Sequence, residues 1–257
     1  MSDCLKIDLS GRVAVVTGAT GQLGRVMART LAQCGAAVAV HYHKNEPKAQ
    51  EMVRALEAEG CRALAVQADV AVADDVQRMR DMVEAGLGAA DIIVNNAVSQ
   101  SPWLSVLEQS VEAYESQFRS CVLHNVLMAQ AFVPAMVERG RGRVIAISTE
   151  CAVQNFPTQS AYVSGKRGMD GVLRVLAKEV GSHQITVNQV APGWTISDND
   201  REKGTEKNEE YSKNVPLRRR GTDQEIANVV AFLASDLASY ITGAYVPVCG
   251  GNVMPGI

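Results

Sequence analysis

Tyr162 and Lys166 stand four residues apart in the stretch YVSGK, a spacing that puts both on one face of a helix. A free phenol titrates at about 10. An ammonium beside it favours the phenolate and draws the phenol toward working pH. Such a pair can give a proton to a carbonyl oxygen or take one from an alcohol. Y-x-x-x-K alone is a common spacing, so its weight rests on its company. Near the start, Thr17-Gly18-Ala19-Thr20-Gly21-Gln22-Leu23-Gly24 follows the apolar run Val13–Val16 and opens an amphipathic stretch. Glycines after a first strand allow a tight turn and close backbone approach to a pyrophosphate, which the N-terminal N–H groups of the following helix then bind.

In dinucleotide-binding units an acidic residue about twenty positions further on holds the adenosine ribose hydroxyls. Here the second apolar run ends Val40-His41-Tyr42-His43-Lys44, with no carboxylate. His43 and Lys44 suit a 2′-phosphate instead, which favours NADP(H) over NAD(H). His41 and His43 alternate and so share a strand face, yet no cluster of ligating residues surrounds them, and no metal is expected.

These groups need a scaffold. Short, almost wholly apolar runs at 13–16, 37–42, 63–67, 91–95, 143–148, 185–190 and 244–248 alternate with helical stretches at 23–34, 47–59, 72–84, 111–139 and 160–180. Alternation of this kind implies parallel strands joined by right-handed crossovers, and unbroken apolar strands imply a sheet covered on both faces. The expectation is a single α/β domain over 1–257, a doubly wound parallel seven-stranded sheet of Rossmann type. Residues 1–150 would be the cofactor-binding part and 151–257 the catalytic and substrate part. The polar segment Ser197–Lys213 reads either as a solvated loop or as a lid over a cleft.

Composition narrows the rest. The chain has 257 residues, 47% hydrophobic, with a net charge of -3. No basic stripe points to nucleic acid. Arg218-Arg219-Arg220 is the one tight basic run and reads as a solvated corner. No apolar run of eighteen residues suggests a membrane span, and the first residues lack the core of a secretion signal. A cytoplasmic protein is expected. The six cysteines, at 4, 34, 61, 121, 151 and 249, show no C-x-x-C pair and read as free thiols.

Taken together, TGATGQLG at 17–24, ADV at 68–70, NNA at 95–97, YVSGK at 162–166, VNQVAPG at 187–193 and ITGAYVPVCGG at 241–251 resemble the classical short-chain dehydrogenase/reductase family over nearly the whole chain. The acyl-carrier-protein ketoreductases are the nearest general resemblance, and HYHKN at 41–45 also resembles the pteridine reductases. The resemblance implies that Tyr162 is the general acid/base and that Lys166 holds the nicotinamide ribose and tunes Tyr162. Thr149, thirteen residues before the tyrosine, falls at the family's catalytic serine and keeps a hydroxyl donor. Thr17, Gly18, Thr20, Gly21, Gln22, Leu23 and Gly24 would form the phosphate loop, and Tyr42, His43 and Lys44 the adenosine-phosphate end. Asp69 and Val70 would lie at the adenine. Asn95, Ala97, Pro192, Gly193, Thr195 and Ser197 would lie along the cofactor toward the nicotinamide.

Four positions depart from the family pattern. Gln22 replaces the middle glycine of the loop, Thr149 replaces serine, and Val98 replaces the glycine of NNAG. Cys121 replaces an asparagine that, in the family, helps place a water linking the lysine to solvent. Asn125 lies one turn on. The resulting expectation is a nicotinamide-dependent reductase for a small-molecule carbonyl or alcohol, with Trp103, Phe156 and Trp194 in the segments that shape the pocket. A cofactor-binding sensor or partner subunit without catalysis is the alternative. The family also implies a homodimer or homotetramer, with helices around 111–137 and 160–181 pairing across a two-fold.

Overall fold

The computed structural model describes residues 6–255. Seven strands, β1 (Val13–Val16), β2 (Ala37–Tyr42), β3 (Ala63–Gln67), β4 (Ile92–Asn95), β5 (Gly142–Ile147), β6 (Ile185–Pro192) and β7 (Tyr245–Val248), form one sheet in the order β3-β2-β1-β4-β5-β6-β7. Every neighbouring pair is parallel. β1, β2, β4, β5 and β6 are buried along their whole length, which is why they read as unbroken apolar runs.

Helices cover both faces. On one lie α1 (Gln22–Gln33), α2 (Glu46–Ala58) and α10 (Asp223–Ala234), where Met27, Leu31, Leu56, Ile226 and Val230 pack on Val38 and Ile145. On the other lie α3 (Ala73–Gly86), α5 (His124–Arg139) and α7 (Ser160–Val180), burying Met79, Phe132, Met136 and Leu173 against Val15, Ile93 and Val144. Each fully buried side chain of this size stabilises the fold by roughly 1.5–3 kcal/mol. α10 has no counterpart among the helices read from the pattern. Its start is nonetheless written in the sequence, because Thr222 and Glu225 form a capping box.

The 111–139 stretch is helical throughout, but not as one regular helix. α4 (Val111–Gln117) passes into a π-turn at Phe118–Leu123 before α5 continues. By length and composition this helix could cross a bilayer, with a mean hydropathy of 1.5 in its most apolar window. Over half of that window is buried inside the fold, as in a core helix. The polar 197–213 segment contains two short capped helices, α8 (Asp198–Lys203) and α9 (Glu209–Asn214). A single turn, α6 (Cys151–Gln154), precedes α7. Of the six cysteines, Cys4 lies outside the described residues, and the other five are free thiols.

Candidate active site

β1 and β4 are neighbours, while the chain leaves β1 toward β2 on one side and β4 toward β5 on the other. A crevice opens at the carboxyl ends of strands where the order reverses. The glycine loop sits there. α1 begins at Gln22 with Gly21 as an N-cap that has no side-chain acceptor, leaving the first N–H groups free for an anion. A Cβ on Gly24 would stand 2.2 Å from the Gly18 carbonyl, so only glycine lets the helix start this close to the loop.

His41 holds the loop from below. Its Nδ1 accepts the Gly18 N–H at 2.9 Å, its Nε2 pairs with the Ala68 carbonyl at 3.0 Å, and its own carbonyl accepts from Ala19 N–H. These bonds engage both ring nitrogens, and burial pushes the ring down to about 4. Thr17 is also fully buried, its Oγ1 accepting from the Asn96 and Ala97 N–H groups.

The crevice has a volume of about 830 Å3 and is lined by Gly18, Thr20 and the stretch Gly21–Gly24, by His43 and Lys44, by Asp69 and Val70, and by Ala97. Of the residues expected along the cofactor, Thr17, Tyr42, Asn95, Tyr162, Lys166, Pro192, Gly193, Thr195 and Ser197 do not line the crevice. Tyr42 points to the opposite side and is buried in the core, because alternation places it away from His41 and His43. Thr17 supports the loop from within. Asn95 is buried and donates to Asn125 Oδ1 at 2.7 Å.

Tyr162 and Lys166 both stand on α7. Lys166 is buried and its Nζ donates to the Ile147 carbonyl at 2.6 Å, at the end of β5. The same Nζ stands 5.8 Å from the centre of the Tyr162 ring. Burial pushes the Tyr162 phenol above its ordinary range, and the Thr149 hydroxyl opposes that rise. Burial likewise pushes Lys166 down. The expected lowering of Tyr162 by the ammonium is therefore not what this structure shows. Desolvation of the phenol dominates while the ammonium is engaged by a backbone carbonyl. Thr149 lies just past β5, its Oγ1 accepting from Cys151 N–H and its carbonyl from the Tyr245 hydroxyl at 2.5 Å.

Cys121 is buried in the π-turn, with a weak Sγ contact of 3.8 Å to Gln117 Oε1. The Cys121 carbonyl accepts from Asn125 Nδ2 at 2.7 Å. Asn125 therefore turns toward the backbone of the departing residue and toward Asn95, not toward Lys166.

The segment after β6 is anchored rather than loose. Gln22 Nε2 donates to the Ile196 carbonyl at 2.6 Å, and Arg25 pairs with Asp198 at 2.9 Å. Ser197 caps α8, its hydroxyl and N–H both donating to Asp200. The Thr195 hydroxyl turns back onto the Gly193 carbonyl. Arg220 corrects the expectation of a solvated corner. It is buried, pairs with Asp200 at 2.8 Å and lies 4.5 Å over the Trp194 ring.

Three residues that composition and spacing did not single out, Glu150, Tyr211 and Asn252, also stand here. Glu150, buried beside Thr149, accepts from the Tyr211 hydroxyl at 2.8 Å and from Asn252 Nδ2 at 3.0 Å. Burial pushes its carboxyl up while those two donors pull it back. A charged residue directly after Thr149 was the one available sign of it.

A family model described as enoyl-(acyl carrier protein) reductase matches residues 18–252. The 3-oxoacyl-[acyl-carrier-protein] reductase FabG of Staphylococcus aureus is 36% identical over 251 residues, which cover 94% of this chain and 98% of that protein. The chain belongs to the short-chain dehydrogenase/reductase family. Within the family, a short-chain type dehydrogenase/reductase of Picea abies is 34% identical over 95% of this chain and 93% of its own length. Among solved structures, a gluconate 5-dehydrogenase from Burkholderia cenocepacia in complex with NADP and tartrate superposes with a TM-score of 0.88 at 28% identity, covering 96% of this chain and 97% of that one. This short-chain dehydrogenase/reductase is an NAD(P)(H)-dependent oxidoreductase that interconverts a carbonyl and an alcohol by hydride transfer. The similarity to reductases and dehydrogenases speaks against the sensor alternative drawn from Cys121, Thr149 and Val98.

Proposed function

We propose that this enzyme is a cytoplasmic, NADP(H)-preferring reductase of a small-molecule ketone. The observation that carries the reading is the placement of Tyr162 over Lys166 on α7, with Lys166 Nζ fixed on the Ile147 carbonyl and Thr149 beside the phenol. The crevice fits a dinucleotide. Its loop admits no side chain at Gly24, and the uncapped start of α1 offers N–H donors to a pyrophosphate. His43 and Lys44, both exposed at the end of β2 and lining the crevice, would meet a 2′-phosphate, where a carboxylate would repel it. Asp69 and Val70 would border the adenine. Asn95 and Ala97 would support the middle of the cofactor, and Pro192, Gly193, Thr195 and Ser197 its nicotinamide end. The bound nicotinamide supplies the hydride. Tyr162 holds the proton that moves to the substrate oxygen, Thr149 Oγ1 donates a hydrogen bond to that oxygen, and Lys166 supports the phenolate left behind.

Residues 1–150 act as the cofactor half and 151–257 as the catalytic half of one domain. The chain assembles as a homodimer or homotetramer through α5 and α7, which share an apolar groove between Val126, Ala129, Val172, Val175 and Leu176. Titration with NADPH and NADH, followed by fluorescence, tests the cofactor side. Tyr162→Phe tests the chemistry. It should bind NADPH as the parent does and lose turnover by about 10²–10⁴-fold, and a variant with full turnover would overturn the acid/base assignment.

A further inference from the structure

Burying a carboxylate is costly unless it is well satisfied, and no cation among the described residues forms an ion pair with Glu150. What it gains is a set of directed bonds between segments far apart in the chain. Its N–H donates to the Pro192 carbonyl at the end of β6. Its two carboxylate oxygens accept from Tyr211 on α9 and from Asn252 after β7. The Tyr211 hydroxyl accepts the Trp194 N–H at 2.9 Å, so its own hydrogen is free for Glu150. The direction of the relay, Trp194 to Tyr211 to Glu150, is therefore fixed. The hydroxyl also crowds Gly193, where a Cβ would stand only 2.8 Å from it. The Tyr211 ring meets the Trp194 ring edge-on, at 5.4 Å and 80°, while Arg220 lies over that indole. Trp194 is thus held by two neighbours, and 48% of it remains exposed. It lies just past β6, at the carboxyl end of the sheet.

We infer that Glu150 is a positioning residue for the carbonyl substrate: through Tyr211 it fixes α9 against Gly193 and sets the Trp194 indole as one wall of the substrate site. The inference rests on Tyr162 marking the substrate side. The Glu150 carboxylate touches neither the reacting atoms nor the glycine loop, and only its backbone N–H reaches Pro192, so a change of its side chain falls on substrate affinity and on the mobility of Trp194.

The test uses Tyr211→Phe, Glu150→Gln, Asn252→Ala and the Glu150→Gln/Tyr211→Phe double variant. Acetoacetyl-CoA serves as the probe ketone with NADPH. Tyr211→Phe and Glu150→Gln should each raise KM about tenfold, the loss expected when a hydrogen bond to a charged group is removed. The kcat and the NADPH Kd should stay within about twofold. The double variant should be no worse than the poorer single one, since both break one relay. With Trp103 changed to Phe, Trp194 is the sole tryptophan, and acrylamide should quench it more readily in each variant. If Glu150→Gln fails to fold, Tyr211→Phe and Asn252→Ala still report on the two ends of the carboxylate. An unchanged KM, additive effects in the double variant, or NADPH affinity falling in parallel with substrate affinity would overturn the inference. Full turnover in Tyr162→Phe would overturn the site assignment and the inference together. Lost turnover there with an unchanged KM in Glu150→Gln would overturn the inference alone.

Discussion

His41 gives the sharpest check on how the glycine loop is held. Because Nδ1 accepts the Gly18 N–H, the neutral ring must carry its proton on Nε2, facing the Ala68 carbonyl. A second proton would have to expel the Gly18 N–H, and burial pushes the ring down to about 4. His124, buried in α5, is pushed down to about 3. An unfolded histidine titrates at about 6.5. The folded value lies below the unfolded one, so on acidification the unfolded chain takes up protons first. The stability held by the neutral rings is complete above about pH 6.5 and is lost as pH falls toward 4 for His41 and 3 for His124. Between about pH 7 and pH 5 each ring should cost about 2 kcal/mol, since the unfolded ring is almost fully protonated at the lower pH and the folded one hardly at all. His41→Asn offers an acceptor to Gly18 N–H but does not titrate. In urea denaturation across that range the parent should lose about 4 kcal/mol from the two rings and the variant about 2 kcal/mol. A variant with the parent's slope would refute the reasoning. NADPH affinity below about pH 5 should weaken in the parent and stay level in the variant, because only the parent loses its grip on the Gly18 N–H.

Lys44→Ala should weaken NADPH about tenfold and leave NADH within about twofold, as expected for one lost charge-assisted phosphate contact; equal losses in fluorescence titrations would remove Lys44 from the 2′-phosphate. Gln22→Gly deletes the bond to the Ile196 carbonyl while sparing the Arg25–Asp198 pair, so trypsin should cleave at Lys203 and Lys207 roughly fivefold faster, the factor for about 1 kcal/mol. Unchanged cleavage would show that the other anchors suffice. Cys121→Asn forces a larger polar side chain into a buried site and should cost about 1–3 kcal/mol in urea denaturation, with turnover within about threefold. A clear gain in turnover would mean that an asparagine restores a proton path that the cysteine lacks.

The sheet was legible because buried parallel strands leave nothing but apolar runs. Each of the seven appears within a residue or two of its predicted place. α10 was not read as a helix, since seven of its twelve residues are buried and its apolar positions give no clean stripe; only the Thr222/Glu225 box marks it. Tyr42 shows the limit of a motif read as a block. The stretch HYHK lines the crevice at His43 and Lys44, but strand alternation sends the residue between the two histidines into the core. Arg220 was misread for a related reason. A run of three arginines looks solvated, and only the fold reveals Asp200 and Trp194 waiting for the third.

The π-turn at Phe118–Leu123 has no marker in the sequence, because its one extra residue shifts the apolar stripe by a single position, within the breadth of a buried helix face. It decides what Cys121 can do. A π-turn frees backbone carbonyls from the regular i to i+4 ladder, and polar side chains or water must then satisfy them. Here the Cys121 carbonyl takes the Asn125 amide, and Asn125 in turn takes the amide of Asn95 from the end of β4. The departure at Cys121 and the asparagine one turn on are thus one arrangement. The thiol vacates the polar role, and Asn125 takes up the backbone group beside it. Lys166 meanwhile spends a hydrogen on the Ile147 carbonyl. If proton supply to Tyr162 runs past Lys166, it must do so without the Cys121 carbonyl. Asn125→Ala would release that carbonyl and should raise turnover relative to the parent, while leaving the Asn95 amide without its acceptor at a cost of about 1–3 kcal/mol in stability.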